Sequence, residues 1–232
     1  YFMAKLIIKL INSTAELINN DPDAHSHIKV VFFPDFNVKN AQLIYPAADL
    51  SEQISTAGFE ASGTGNMKFS LNGALTIGTV DGANIEIREA VGAENFFTFG
   101  LTVDEIIGLR QNGYQPTAYY HENRELKEAI DLIARGALSP SNPGLFNPLL
   151  DAMLNYDHYM ILADYAHYIQ CQDQVGKLWQ EPRQWARKSI LNVARMGTFS
   201  SDRSIGEYCD RIWKVGPVPV ELDIIEPVKI EI

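Results

Sequence analysis

The chain has 232 residues, 46% of them apolar and 21% charged, a globular composition with room for a sizeable core. Its 19 basic and 29 acidic residues give a formal charge of −10, which argues against nonspecific binding to nucleic acid or to an anionic membrane. Two cysteines without a CxxC, Cys171 and Cys209, fit a reducing cytosol and supply neither a disulfide framework nor a metal site. No stretch reaches the roughly 18 apolar residues that would read as a membrane span.

Residues 1–19 read as an amphipathic helix with an apolar stripe through Phe2, Leu6, Ile7, Leu10 and Leu17. The start carries no signal-peptide pattern and no initiator methionine, so a fragment beginning inside a helix is expected. Residues 28–33 form a nearly continuous apolar run, suited to a strand buried on both faces of a parallel sheet. A turn at 34–37 and a short helix over 38–44 follow. Residues 48–50 end a short strand, and 51–58 are a polar loop. A Gly-rich turn then leads into a helix containing Lys68, ended by Asn72 and Gly73. Further strands are expected at 74–78 and 95–100, with helices at 85–90 and 103–110. Thr102 and Glu105 have the spacing of a capping box. Strands alternating with short helices predict an α/β fold with a doubly wound parallel sheet over residues 1–115. The polar turns after its strands should lie along one edge.

After residue 115 helices dominate, at 122–135, 147–154, 165–179, 182–194 and 204–213, with Ser201 or Asp202 as a cap for the last. Residues 116–215 are read as a helical part of the same domain, and 216–232 as an extended or disordered tail with prolines at 217, 219 and 227.

The candidate chemistry lies in Glu60-Ala-Ser-Gly-Thr-Gly-Asn-Met-Lys68. Backbone N–H groups around Gly63, Thr64 and Gly65 at a helix start favour an anion, and Lys68 shares a helix face with Thr64 four residues earlier. A plain turn is the competing reading of such a stretch. The pattern is neither Walker A, because Met67 and Phe69 flank the lysine, nor G-x-G-x-x-G, because position 68 is lysine. H-E-x-x-H and G-x-S-x-G are absent, and the five histidines fit solvated loops or ordinary packing. A lysine half-buried beside Met67 and Phe69 would have a desolvated, nucleophilic amine. Together with a phosphate cradle this suits a phosphate-bearing aldehyde, of which pyridoxal phosphate is the obvious example.

The stretch from Glu60 to Phe69, with residues 72–79 and 81–87, resembles the pyridoxal-phosphate signature of the α-glucan phosphorylases. The similarity extends upstream through residues 46–58 and downstream through Glu94-Asn-Phe-Phe97, Gly113-Tyr114, Ala163-Asp-Tyr165 and residues 199–205. It implies phosphorolysis of terminal α-1,4-glucosyl units by inorganic phosphate to glucose 1-phosphate, with retention. Lys68 resembles the lysine that holds pyridoxal 5′-phosphate as a Schiff base, and Thr64 and Gly65 resemble residues that bind its phosphate. That phosphate is the implied proton donor and acceptor. Glu60, Ala61, Ser62 and Gly63 resemble the segment that hydrogen-bonds glucosyl hydroxyls.

The resemblance also implies a Rossmann-like C-terminal half of a two-domain glycosyltransferase-B architecture, a cytoplasmic enzyme and a homodimer. Its amino-terminal domain and the basic residues for substrate phosphate would lie upstream of Tyr1, so this chain alone is expected to be inactive. Phe36 and Asn37 stand where animal members carry Tyr-Arg, and Phe59 stands where a small polar residue is common. The rival expectation is a noncatalytic α/β domain that binds a sugar or anion without a cofactor.

Overall fold

A computed structural model describes residues 1–220 and divides them into two compact units, the first Tyr1–Met196 and the second beginning at Gly197. In the first unit, α1 (Phe2–Asn20) and α2 (Val38–Ala47) precede β1 (Leu50–Gln53), α3 (Gly65–Leu71), β2 (Leu75–Gly78), α4 (Asn84–Val91) and β3 (Phe97–Thr98). Then come α5 (Val103–Gln111), α6 (Pro116–Glu122), α7 (Arg124–Ala134), α8 (Asn147–Asp151), α9 (Ile161–Trp179) and α10 (Pro182–Arg195).

The three strands form a parallel sheet in the order β1-β2-β3, with Leu50 opposite Leu75 and Ile77 opposite Phe97. All four residues of β2 are buried. Leu75 and Ile77 join Phe99, Cys171, Val175 and Trp185 in one core cluster, which places α9 and α10 on that side. Alternation along the strand turns Thr76 the other way, where its hydroxyl lies 3.2 Å from that of Ser70 on α3. Helices therefore cover both faces of a small parallel sheet, an α/β arrangement.

The first helix is partly as expected. Leu6 packs with Leu138, Phe146 and Leu149, and Leu10 lies against that cluster, but Phe2, Ile7 and Leu17 are exposed. The expected strand at 28–33 does not form. Ile28, Val31 and Phe33 are exposed, and the backbone of Val30 pairs with the Asn19 side chain at 2.8 and 2.9 Å. A strand apolar on both faces needs neighbours to cover it, and among the described residues β1 pairs with β2 alone. Strand 95–100 contracts to β3, because the Asn95 amide turns back to donate to the Val91 carbonyl at 2.8 Å.

The capping box forms as read: Thr102 N–H donates to the Glu105 carboxylate at 2.8 Å, and Glu105 N–H to Thr102 Oγ1 at 3.4 Å. α9 starts four residues earlier than its pattern suggests. The Asp157 carboxylate accepts from the N–H groups of Ile161 and Leu162, both at 2.9 Å, and so supplies its cap. α6, with Pro116 in its first turn, is an additional helix.

In the second unit, α11 (Ser201–Tyr208) continues into a wider turn over Cys209–Trp213. Ser201 and Asp202 lie inside its first turn, so the expected cap is displaced to Ser200, whose side chain makes no capping bond. Residues 216–220 carry no helix or strand, and the rest of the expected tail, 221–232, lies outside the described residues.

Candidate functional site

The two loops leaving the C-terminal ends of β1 and β2 meet. This is the edge at which open α/β sheets place ligands. The loop after β1 carries residues 54–64, and the turn after β2 carries Thr79 to Ala83. The Asp81 carboxylate, through one oxygen, accepts from the backbone N–H groups of Phe59 at 3.1 Å and Glu60 at 2.7 Å. Ala83 N–H donates to the Ser62 carbonyl at 2.7 Å. Asn66 Nδ2 donates to Asn84 Oδ1 at 3.0 Å, and Asn84 Nδ2 donates to the Thr79 carbonyl at 3.1 Å. Gly82, at φ +48°, comes so close that a Cβ there would meet the Ser62 carbonyl oxygen at 2.5 Å.

This lock leaves the sequence-predicted residues outward. Glu60, Ala61, Ser62 and Thr64 are exposed, and Gly63 and Gly65 are half-buried. Ser62 Oγ donates to the Gly63 carbonyl at 3.0 Å. Gly63 holds φ +80°, and a Cβ there would press on the Asn66 amide at 3.0 Å. The N–H of Lys68 bonds the Thr64 carbonyl at 3.3 Å, so the expected one-turn spacing of these two residues is present. Among the described residues the N–H groups of Thr64, Gly65 and Asn66 have no protein acceptor, and neither Lys68 Nζ nor the Glu60 carboxylate has a hydrogen-bonded or ionic partner. Three unpaired donors within about one helical turn of a lysine amine fit the phosphate and aldehyde ends of pyridoxal phosphate.

One expectation fails here. Lys68 is exposed rather than half-buried. Residues i±1 on a helix point in other directions, so Met67 and Phe69 do not cover it. Its ammonium lies 5.8 Å from the centroid of the Tyr45 ring, beside an open groove of about 370 Å³ that Tyr45, Pro46 and Asn72 help to line. Tyr45 in turn meets Phe69 edge-on at 4.6 Å and Phe36 at 6.3 Å. Of the departures noted above, Asn37 caps α2 by accepting from Asn40 N–H at 3.2 Å. Phe59 packs against His158 and Tyr159 with Arg110 across its ring at 5.4 Å.

Sequence reading assigned no role to Asp81, Asn84 or Asn66. Their signal is burial: each is a polar residue at least nine-tenths enclosed, in a turn or helix start that follows β1 or β2. Among the described residues no group of His, Cys, Asp and Glu could hold a metal ion, and no helix is long and apolar enough to cross a membrane.

Comparison with known proteins gives the same direction. A family model for carbohydrate phosphorylases matches residues 1–215. The chain is 60% identical over 227 residues to a glycogen phosphorylase of Synechocystis sp., covering 98% of this chain and 27% of the relative. It is 50% identical over 222 residues to the human brain form and 49% over 224 residues to the human liver form, covering 96% and 97% of this chain and 26% of each. It therefore spans about a quarter of the length of the curated relatives it matches. With a family match over residues 1–215, this chain belongs to the carbohydrate phosphorylase family.

Proposed function

We propose that these residues are the cofactor-bearing part of a glycogen phosphorylase-type enzyme, which transfers terminal α-1,4-glucosyl units of a glucan to inorganic phosphate and forms glucose 1-phosphate. The single observation that carries this is the pairing of unpaired N–H donors at Thr64, Gly65 and Asn66 with the Lys68 amine within one helical turn, in a chain 60% identical over 227 residues to a glycogen phosphorylase.

In this reading Lys68 anchors pyridoxal 5′-phosphate, and Thr64 and Gly65 hold its phosphate through backbone N–H groups. When bound, the cofactor supplies a phosphate able to give and take a proton near neutral pH. The groove beside Tyr45 receives the ring side. Glu60 accepts from two vicinal sugar hydroxyls, and Ala61, Ser62 and Gly63 complete the sugar-side turn. Thr64 stands between the two ligands, so the same short loop orients the cofactor and the sugar.

The fuller architecture belongs to the same proposal. The three strands are part of a Rossmann-like, doubly wound sheet, the C-terminal half of a two-domain enzyme with a glycosyltransferase-B-type cleft. The relatives are about four times longer, which supports an amino-terminal domain as the other wall of the site. The exposed Lys68 supports it too, because an amine used in a dry site needs covering that these residues do not provide. The enzyme is a cytoplasmic homodimer, and this chain by itself does not turn over.

The test is borohydride reduction after incubation with pyridoxal 5′-phosphate, followed by peptide mapping. A pyridoxyl group on Lys68 is expected; labelling spread over other lysines overturns the assignment. Glucose 1-phosphate formation by these 232 residues, expected to be absent, would overturn the claim that another domain completes the site.

A further inference from the structure

We infer that Asp81 is a positioning residue for the sugar-side turn, an inference that rests on the proposed role of Glu60 to Gly63. The turn after β2 grips the backbone of residues 59–62 at two points, and a Cβ at Gly82 in it would lie 3.1 Å from Glu60 Cγ. At one end Asp81 accepts from Phe59 N–H and Glu60 N–H, at 3.1 and 2.7 Å. At the other, Ala83 N–H donates to the Ser62 carbonyl at 2.7 Å. The positive φ of Gly82 permits the approach. Asp81 is itself about nine-tenths buried, and its position is set by its own N–H donating to the Thr79 carbonyl at 3.0 Å.

The consequence is a division of labour. The backbone around Glu60 is fixed from behind, which sets the point and direction from which its side chain leaves without any bond to its carboxylate. It has none among the described residues and remains exposed. Without Asp81, Glu60 N–H loses its acceptor while Phe59 N–H keeps the Thr56 carbonyl at 3.0 Å, so the backbone is released at Glu60. Hydrogen bonds to a carboxylate are stronger than those to a neutral acceptor, which explains why an acid suits this position. Both bonds end on Asp81 Oδ2. An asparagine whose carbonyl oxygen takes that place keeps both of them, whereas alanine keeps neither.

The test compares Asp81→Asn and Asp81→Ala in the 232-residue chain, with three readouts. Amide exchange at Glu60, followed by NMR, should accelerate about tenfold or more in Asp81→Ala and stay near wild type in Asp81→Asn, with a smaller change at Phe59, whose N–H also donates to the Thr56 carbonyl at 3.0 Å. Glucose titration should show affinity about tenfold weaker in Asp81→Ala and rescued in Asp81→Asn. Pyridoxyl labelling of Lys68 should be the same in all three proteins, because Asp81 does not touch Thr64 to Lys68. A general loss of structure would move all three readouts together and would not be rescued by asparagine; that pattern overturns the assignment. Glucose affinity unchanged in Asp81→Ala overturns it as well. Failure of the wild-type chain to bind glucose while both amides stay protected overturns the sugar reading of the turn, and the inference with it. Failure of Lys68 labelling alone touches only the cofactor assignment.

Discussion

The side chains of Asn66 and Asn84 share a buried hydrogen bond of 3.0 Å that ties the first turn of α3 to the first turn of α4. Asn84 also donates to the Thr79 carbonyl at 3.1 Å, and its residue is 5% exposed while Asn66 is 2% exposed. Asn84→Ala removes one acceptor of the buried Asn66 amide, which keeps the Ser62 carbonyl at 3.3 Å, and one of two donors to the Thr79 carbonyl, which keeps Asp81 N–H at 3.0 Å; the change should destabilise the chain by about 1 kcal/mol. Urea unfolding should show a lower midpoint at unchanged slope. A shift below about 0.5 kcal/mol would mean that water replaces the amide at no cost.

Lys68 should behave oppositely. Its side chain is exposed and without an ionic or hydrogen-bonded partner among the described residues, so Lys68→Ala should change stability by less than about 0.5 kcal/mol. The same variant should abolish pyridoxyl incorporation. A large loss of stability would show that the lysine is part of the packing.

The capping box gives a pH-dependent prediction. Glu105 accepts hydrogen bonds from Thr102 N–H and Oγ1, both at 2.8 Å, and these hold its carboxyl below the usual glutamate value. A carboxyl lowered by folding stabilises above its ordinary value and loses that contribution as the pH falls through the lowered one. Thr102→Ala should cost about 1 kcal/mol near neutral pH. The difference from wild type should narrow below about pH 4, where Glu105 takes up its proton in the unfolded chain. Parallel stability curves from pH 7 to pH 3 would rule out the linkage.

Asp164 has the reverse sign. It is 8% exposed, and burial raises its carboxyl despite the hydrogen bond it accepts from Leu101 N–H at 2.8 Å. With the folded value above the unfolded one, the folded chain takes up the proton first, and wild type gains stability as pH falls through the raised value. Asp164→Asn keeps an acceptor for Leu101 and removes the buried charge. Relative to wild type it should be more stable at pH 7 and lose that advantage toward pH 4. A difference independent of pH would show that the Asp164 charge carries no net penalty.

The two thiols should separate cleanly. Cys171 is 2% exposed in the sheet core, and burial pushes it up to about 11, whereas Cys209 is half-buried in the second unit. A thiol–disulfide reagent should titrate one thiol in the native chain and the second only on unfolding, because the thiolate is the reacting form. Two equally fast thiols would contradict the packing of α9 against β2.

Much of the site was readable without coordinates because its signals are local. The four-residue spacing of Thr64 and Lys68 lies within one helical turn, the Thr102–Glu105 box is three residues long, and β2 is a short apolar run between turns. What the residues by themselves determined is therefore the set of chemically capable groups, their order, the α/β alternation that carries them and the family signature. The partners of those groups come from farther away. Asp81 reaches Glu60 across 21 positions, Asn66 reaches Asn84 across 18, and Tyr168 donates to Glu52 across 116. No period of 2 or 3.6 residues encodes such contacts. The tertiary structure alone decided that residues 28–33 find no strand to pair with, that Lys68 stands exposed beside Tyr45, and that a second turn holds Glu60 from behind. Burial and pairing are properties of what packs against a segment, and a local pattern states only what the segment could accept.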